Sequence, residues 1–426
     1  LSDKLLIKNG IIVTSNKTIY NQSILIEDKK IIQMDTGIED DEAVVIDATD
    51  CYIVPGLIDL HCNIQDPGFD YKETMLTVGQ SAINGGFTTL TINPNTVPRI
   101  DNKAIVEYII SKAKNECPVQ VVPYGNLTRN GEGKVMSEIG EMQLAGIAAV
   151  SDGDHAIQDT DLMRNLCNYC SMFDIPVIAH CENRLISNGN EINEGAISTY
   201  LGIQGAPITA ETIHLARNIL LANEFGTKLH ITHVSTAQSV EMIRQFKKQG
   251  FKLTCETSPQ YFTLNEEAAM GYNTLVKVNP PLRTAADVEA IIKGLRDGII
   301  DTISSDHCPD TIDSKEVEYT LASFGISSLE TAFSLSYTYL VEQGHLNMEQ
   351  LIDKMSHKPA QILTLNKGTI QVGSTADLTI FNPNEDYYID ASKFKSKARY
   401  SPYDGLVIKG RVKYTLVNGK LYRTDG

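Results

Sequence analysis

No stretch of this chain approaches the roughly 18–20 consecutive apolar residues needed to cross a bilayer, so no membrane span is expected. It has no Lys/Arg-rich block either. Its 37 basic residues stand against 53 acidic ones, a formal net charge of −16. Nucleic acids and anionic membranes both need a basic patch, and neither is expected as a partner. Cysteine is sparse: eight thiols in 426 residues, at 51, 62, 117, 167, 170, 181, 255 and 308. They are too few for a disulfide framework and show no paired zinc-ribbon spacing, so reduced thiols in the cytoplasm are expected. Cys167 and Cys170 form a C-x-x-C within "TDLMRNLCNYCSMF", where the helical period gives them an apolar, packing role rather than redox chemistry. The opening stretch, "LSDKLLIKNGIIVTSN", has Asp3 and Lys4 where a secretion signal needs unbroken apolar residues, and secretion is not expected.

What is present is a two-part pattern. "LLIKNGIIVT", "QSILIEDKKIIQM" and "AVVIDATDCYIV" read as short strands, and the chain's end repeats that style through "GSTADLTIFNP" and "GLVIKGRVKYTLVNGKLYR", with a hairpin expected at Asn418-Gly419. Residues 1–55 and 366–426 are therefore expected to form one small β-sandwich domain. Between them, 56–365 alternates apolar runs with amphipathic segments, the βαβ rhythm of an α/β protein, here a (β/α)8 TIM-type barrel. After the strand leading to His61 come "FTTLTIN", "VQVVPYGN", "IAAVSDG", "IPVIAH", "KLHITHV", "FKLTCET", "TLVKVNP" and "DTISSD". That is one run more than eight strands require, so one is surplus.

Polar residues fall at the C-terminal ends of these runs: His61, Asn93, Ser151, His180, His233, Asn279 and Asp306. A barrel brings such ends to one mouth. A lone buried histidine is usually a hydrogen-bonded core residue, but His61, His180 and His233 share the same context. His230, three residues before His233, is expected on the opposite strand face in a structural role. Asp306 puts a carboxylate at a buried strand end, which needs a cation or a strong hydrogen-bond partner. Three imidazoles and one carboxylate suit a single divalent metal, Zn2+ by default, with Asp306 also placed to take a proton from water that zinc acidifies to a pKa of ~7.

In this order "VPGLIDLHCNIQDPG", "NPNT", "VSDGD", "AHCEN", "HITHVS", "VNPPLR", "SSDHCP", "FGISSLETA" and "SPYDG" resemble the motifs of dihydroorotases of the amidohydrolase superfamily, over essentially the whole chain. The resemblance implies a metal-bearing barrel with a β domain from both ends. It implies reversible hydrolysis of the cyclic amide of dihydroorotate to carbamoyl aspartate. By matching motif it assigns His61, His180, His233 and Asp306 as metal ligands, and Asn95 and Asn279 as substrate contacts. A homo-oligomer, and in some relatives a partnership with aspartate transcarbamoylase, also follow from it.

Three of these motifs depart from the pattern. Relatives read H-x-H-x-R-E-P-G where this chain has His61-Cys62-Asn63-Ile64-Gln65-Asp66-Pro67-Gly68, which replaces one ligand and the arginine that grips the substrate carboxylate. Gly153 stands where a bridging carboxylate is expected, leaving Asp152 or Asp154 to reach its place only through a local shift. Asp310 replaces a carboxylate-binding histidine. Gln65 and Asp310 thus line the expected carboxylate subsite with neutral and negative groups, which disfavours an anionic substrate. Three readings follow: a one-metal cyclic amidase, a non-catalytic subunit, and an allantoinase- or hydantoinase-type hydrolase of a less anionic ring. The first is preferred, since no ligand set for another chemistry is visible.

Overall fold

The computed structural model describes residues 4–189 and 191–424. Its strands, in chain order, are β1 (Lys4–Val13), β2 (Thr18–Glu27), β3 (Lys30–Asp35), β4 (Val44–Asp47), β5 (Tyr52–Pro55), β6 (Leu57–Asp59), β7 (Phe87–Ile92), β8 (Gln120–Asn126), β9 (Ala149–Ser151), β10 (Val177–Ala179), β11 (Leu229–Ile231), β12 (Leu253–Thr257), β13 (Thr302–Ile303), β14 (Leu378–Tyr388), β15 (Val407–Val417) and β16 (Lys420–Arg423). Strands β6 to β13 form one sheet, parallel at every junction, in sequential order. The ring closes at its upper edge, where Cys62 bridges His307 and the Asn63 N–H donates to the His307 carbonyl at 2.8 Å. Just below, Asp59 accepts both the backbone N–H and the hydroxyl of Ser305. This is the eight-stranded barrel of the βαβ rhythm. The surplus run is "TLVKVNP", which makes only a short 3-10 turn, Thr274–Val276, before the loop carrying Asn279.

Helices cover the barrel, and their starts are written in the sequence. Thr74, Asn102, Asp159, Thr236 and Thr284 each accept a first-turn N–H, capping Met75–Gly85, Lys103–Glu116, Thr160–Met172, Ala237–Lys248 and Ala285–Arg296. Val106 and Ile109 of the second, and Leu166, Cys167 and Cys170 of the third, join Leu90, Ile92 and Val177 of the strands in the main core. All eight cysteines are free thiols, and burial pushes Cys167 up to about 12, as a packing role requires. Among the described residues no helix is long and apolar enough to cross a membrane.

The termini build the second sheet, in the order β16-β15-β14-β5-β1-β2-β3 with β4 also on β1. It curls until Lys30 bridges Thr375 ahead of β14, closing over Ile7, Ile12, Ile24, Ile26, Ile53, Leu378, Ile380 and Leu416. The Asn418-Gly419 hairpin is present, with both residues at positive φ as a tight two-residue turn demands. Val412 and Val417 of β15 belong to the main core, and Thr415 donates to the Ile83 carbonyl at 2.7 Å, so this sheet packs directly on the first barrel helix.

Candidate active site

The barrel's C-terminal mouth collects the side chains that the strand ends deliver. His61 lies two residues beyond β6, His180 directly after β10, His233 two residues beyond β11 and Asp306 three beyond β13. The His61 and His233 rings meet edge-to-face with centroids 4.1 Å apart, and His180 lies 5.6 Å from His233. Asp306 Oδ1 is 3.9 Å from His61 Nε2 and 3.7 Å from His233 Nδ1, while its Oδ2 accepts from Gln260 Nε2 at 2.6 Å. Three of the four expected positions, His61, His233 and Asp306, thus come within 3.9 Å of a neighbour in the set, and His180 lies beside them against the His233 ring. His233 and Asp306 reach their places through left-handed backbone, φ +50° and +53°, a conformation that costs about 1–3 kcal/mol and tends to persist where a site needs it.

A fifth group enters through a glycine. Asp152 turns away, held by the Thr128 N–H and hydroxyl and by Asn126. Gly153, at φ +61°, then reverses the chain and brings Asp154 Oδ1 to 3.6 Å from His61 Nε2. His61, Asp154 and His233 present ligand atoms within 4.8 Å of one another. The local shift that position 153 demanded is thus present, and it is Asp154 rather than Asp152 that faces the histidines. Where relatives carry the second histidine, Asn63 Oδ1 accepts from Asn93 Nδ2 at 3.2 Å and Asn95 Nδ2 at 3.0 Å, so an amide cluster fills that side.

The electrostatics favour positive charge at this point. Burial would lower the His61 pKa, but the hydrogen bond to Asp154 and the charges of Asp306, Glu256 and Asp154 hold it at about 9. Burial raises Asp306 to about 8; His61 opposes the rise, and Asp154 and Glu256 add to it. Asp154 stays below the usual carboxylate range, since His61, His233 and His180 outweigh its desolvation. His233 is pushed down by burial and by the neighbouring His61 and His180. Both ring nitrogens of His180 and of His233, and Nδ1 of His61, are buried without a hydrogen-bond partner. Each such atom costs about 1–3 kcal/mol. Unpartnered imidazoles facing two carboxylates are the donor set of a divalent cation, and the residues fit one.

The other predicted contacts are more dispersed. Asn279 donates to Glu182 Oε2 at 3.4 Å, and the same oxygen lies 3.5 Å from His180 Nε2, which links Asn279 to the cluster. Asn95 carries Arg99, whose guanidinium donates to Asn95 Oδ1 at 2.6 Å. Gln65 sits at φ +60° on the loop leaving β6. Asp310 is paired with Lys72 at 2.7 Å, which cancels its charge. Arg283 is consumed by Glu211, Ser235 and Asn193. Sequence reasoning missed Glu256, Gln260, Glu182 and Asp59. The signal for Glu256 was a charge at an alternate position of a buried strand, "LTCET".

The comparisons with known proteins agree with this geometry. Residues 51–239 match the family model described as Dihydro-orotase-like. The chain is 48% identical to the dihydroorotase of Acetivibrio thermocellus and 46% to that of Ruminiclostridium cellulolyticum, each over 98% of this chain and 98% and 97% of the relative. Among solved structures it superposes on the L-hydantoinase (dihydropyrimidinase) of Arthrobacter aurescens with a TM-score of 0.90 at 28% identity, covering 99% of this chain and 96% of that one. On the D-hydantoinase of a Thermus species the values are 0.84, 26%, 99% and 95%. With relatives this similar over nearly their full length, the chain belongs to the dihydroorotase family and is a cyclic amide hydrolase.

Proposed function

We propose that this chain opens the cyclic amide of dihydroorotate to carbamoyl aspartate, and closes it in reverse, in pyrimidine biosynthesis. The observation that carries the reading is the meeting of His61 and His233 with Asp306 and Asp154, with His180 and its unpartnered ring nitrogens beside His233. His61, His180, His233 and Asp306 would hold one divalent ion, zinc by default, with Asp154 beside them. Such an ion supplies Lewis acidity, polarising the amide carbonyl and acidifying water. Asp306 takes the proton of the attacking water as the O–C bond forms, and returns it to the ring nitrogen as the C–N bond breaks. Gln260 holds one Asp306 oxygen and leaves the other facing the two histidines. Asn95 and Asn279 contact the substrate, and Gln65 and Asp310 lie on the side of its carboxylate.

The test is zinc analysis of purified protein followed by a dihydroorotate hydrolysis assay. Near one equivalent of zinc and measurable turnover are expected; a protein that binds no metal and is inert defeats the reading. A second reading, hydrolysis of a neutral hydantoin-type ring, is favoured by the glutamine at 65 and the acid at 310, and the same assay run on such a ring decides between them. The proposal extends to a cytoplasmic homo-oligomer that uses no nucleic acid or membrane. The non-catalytic alternative, a partner of aspartate transcarbamoylase, has no use for the retained imidazoles, and co-migration with that enzyme on gel filtration tests it.

A further inference from the structure

Beneath the mouth a second set of buried groups runs down the barrel, and the proposed chemistry uses none of them. Glu256, on β12, has no exposed surface. Its Oε1 is 3.5 Å from His61 Nδ1, and its Oε2 is 3.2 Å from His230 Nε2. His230, on β11 and opposite Thr254 in the ladder, places its Nδ1 2.9 Å from the Thr254 hydroxyl. A buried carboxylate is costly unless its oxygens are engaged, and these two face only the histidines above and below. On the far side of the His61 ring, Asn93 Nδ2 lies 2.7 Å from Nε2. An amide N–H only donates, so in the neutral ring Nε2 carries the lone pair and Nδ1 the proton. His230 is buried and hydrogen-bonded to Thr254 and Glu256, in keeping with the structural role expected of it.

We infer that Glu256, anchored by His230 and Thr254, is a positioning residue for His61: its Oε1, 3.5 Å from Nδ1 and otherwise unpartnered, is placed to take the Nδ1–H as the site closes, and so turns Nε2 toward the space between Asp154 and Asp306. His230 donates its Nε2–H to the other oxygen and keeps Glu256 upright in the barrel.

This rests on the reading that His61 is a metal ligand, and the experiment separates the two. Zinc affinity of the full chain is measured by chelator competition for the wild type, Glu256→Gln and Glu256→Asp. In parallel, nitrogen-15 histidine spectra follow the His61 Nδ1–H, which is present in both the neutral and the protonated ring. Expected are a 10–100-fold weaker zinc Kd in both variants, a metal-free melting temperature for Glu256→Gln no lower than wild type, and a shifted, faster-exchanging Nδ1–H. A purely structural role would lower the metal-free melting temperature and leave the zinc Kd unchanged; that result overturns the inference. If the wild type takes up no zinc, the proposed function fails, and the proton decides alone. A protected His61 Nδ1–H in the wild type that moves in Glu256→Asp upholds the positioning role, and an unprotonated Nδ1 refutes it. The wild-type spectrum keeps the test decisive should Glu256→Gln not fold.

Discussion

At the scale of residues, the cluster at the mouth ties metal binding to proton release. His61 is held at about 9 against an unfolded value of 6.5, and Asp306 at about 8 against 3.8. Both pKa values are raised. The His61 contribution to the stability of the metal-free protein is complete below 6.5 and lost as pH rises through about 9, and that of Asp306 declines between 3.8 and about 8. The melting temperature of the metal-free protein should therefore fall as pH rises from near neutral to about 9, while zinc affinity climbs over the same window because the ligands must shed protons. A pH-independent zinc Kd in a competition titration would contradict this. The carboxylate side carries a second expectation. Restoring the family residues with Gln65→Arg and Asp310→His also frees Lys72 from its 2.7 Å partner. A charge-assisted contact is worth roughly 1.5–3 kcal/mol, so KM for dihydroorotate should drop about tenfold or more, with kcat changed less. An unchanged KM would mean that the carboxylate binds elsewhere, with Arg99 beside Asn95 the first candidate.

At the scale of elements, what the sequence disclosed depended on how local the signal was. The β-branched runs ending in His180 and His233 disclosed both the strand and the histidine at its end, each signal lying within a few neighbouring residues. "TLVKVNP" has the composition of a strand, yet Lys277 inside it serves another purpose. Its buried ammonium donates to the carbonyls of Tyr319 at 2.8 Å and Ala322 at 2.6 Å and pairs with Glu191. No period reveals such a partner, because it lies some forty residues away. Lys315, lowered to about 8 by burial, donates to the Ser323 carbonyl, so two lysines strap the segment between Asp310 and Ile326 beside the mouth. Lys277→Met should leave Glu191 and those carbonyls unpaired and cost about 3–5 kcal/mol. Denaturant unfolding gives the loss, and limited proteolysis should cut first within 312–326. For the missing carboxylate the sequence offers Asp152 and Asp154 alike, and what separates them is the φ of Gly153, which no side-chain pattern encodes. A Cβ at 153 would lie 2.5 Å from Asn95 Oδ1. Gly153→Ala should thus displace Asn95, raise KM and destabilise the protein by about 1–3 kcal/mol through backbone strain. A variant with wild-type KM and stability would show that the turn tolerates a side chain.

At the scale of the molecule, the two possible substrate classes meet opposite electrostatics. The chain carries a net charge of −16, and a field of that sign slows the approach of an anion while leaving a neutral ring indifferent. Near the mouth Lys72 is paired with Asp310 and Arg283 with Glu211, while Arg99 donates to the neutral Asn95 and keeps its charge. The long-range field therefore dominates the encounter. Salt shortens its reach, the Debye length falling from about 30 Å at 0.01 M to about 8 Å at physiological ionic strength. For dihydroorotate, kcat/KM should rise severalfold across that range, through KM rather than kcat. For a neutral hydantoin-type ring it should stay flat. Steady-state kinetics on both substrates at matched pH and zinc make the comparison, using a salt whose ions do not bind the metal. A kcat/KM for dihydroorotate that falls with salt would mean that a local positive field outweighs the net charge, and would point to Lys72 or Arg99 as a direct contact to the substrate carboxylate.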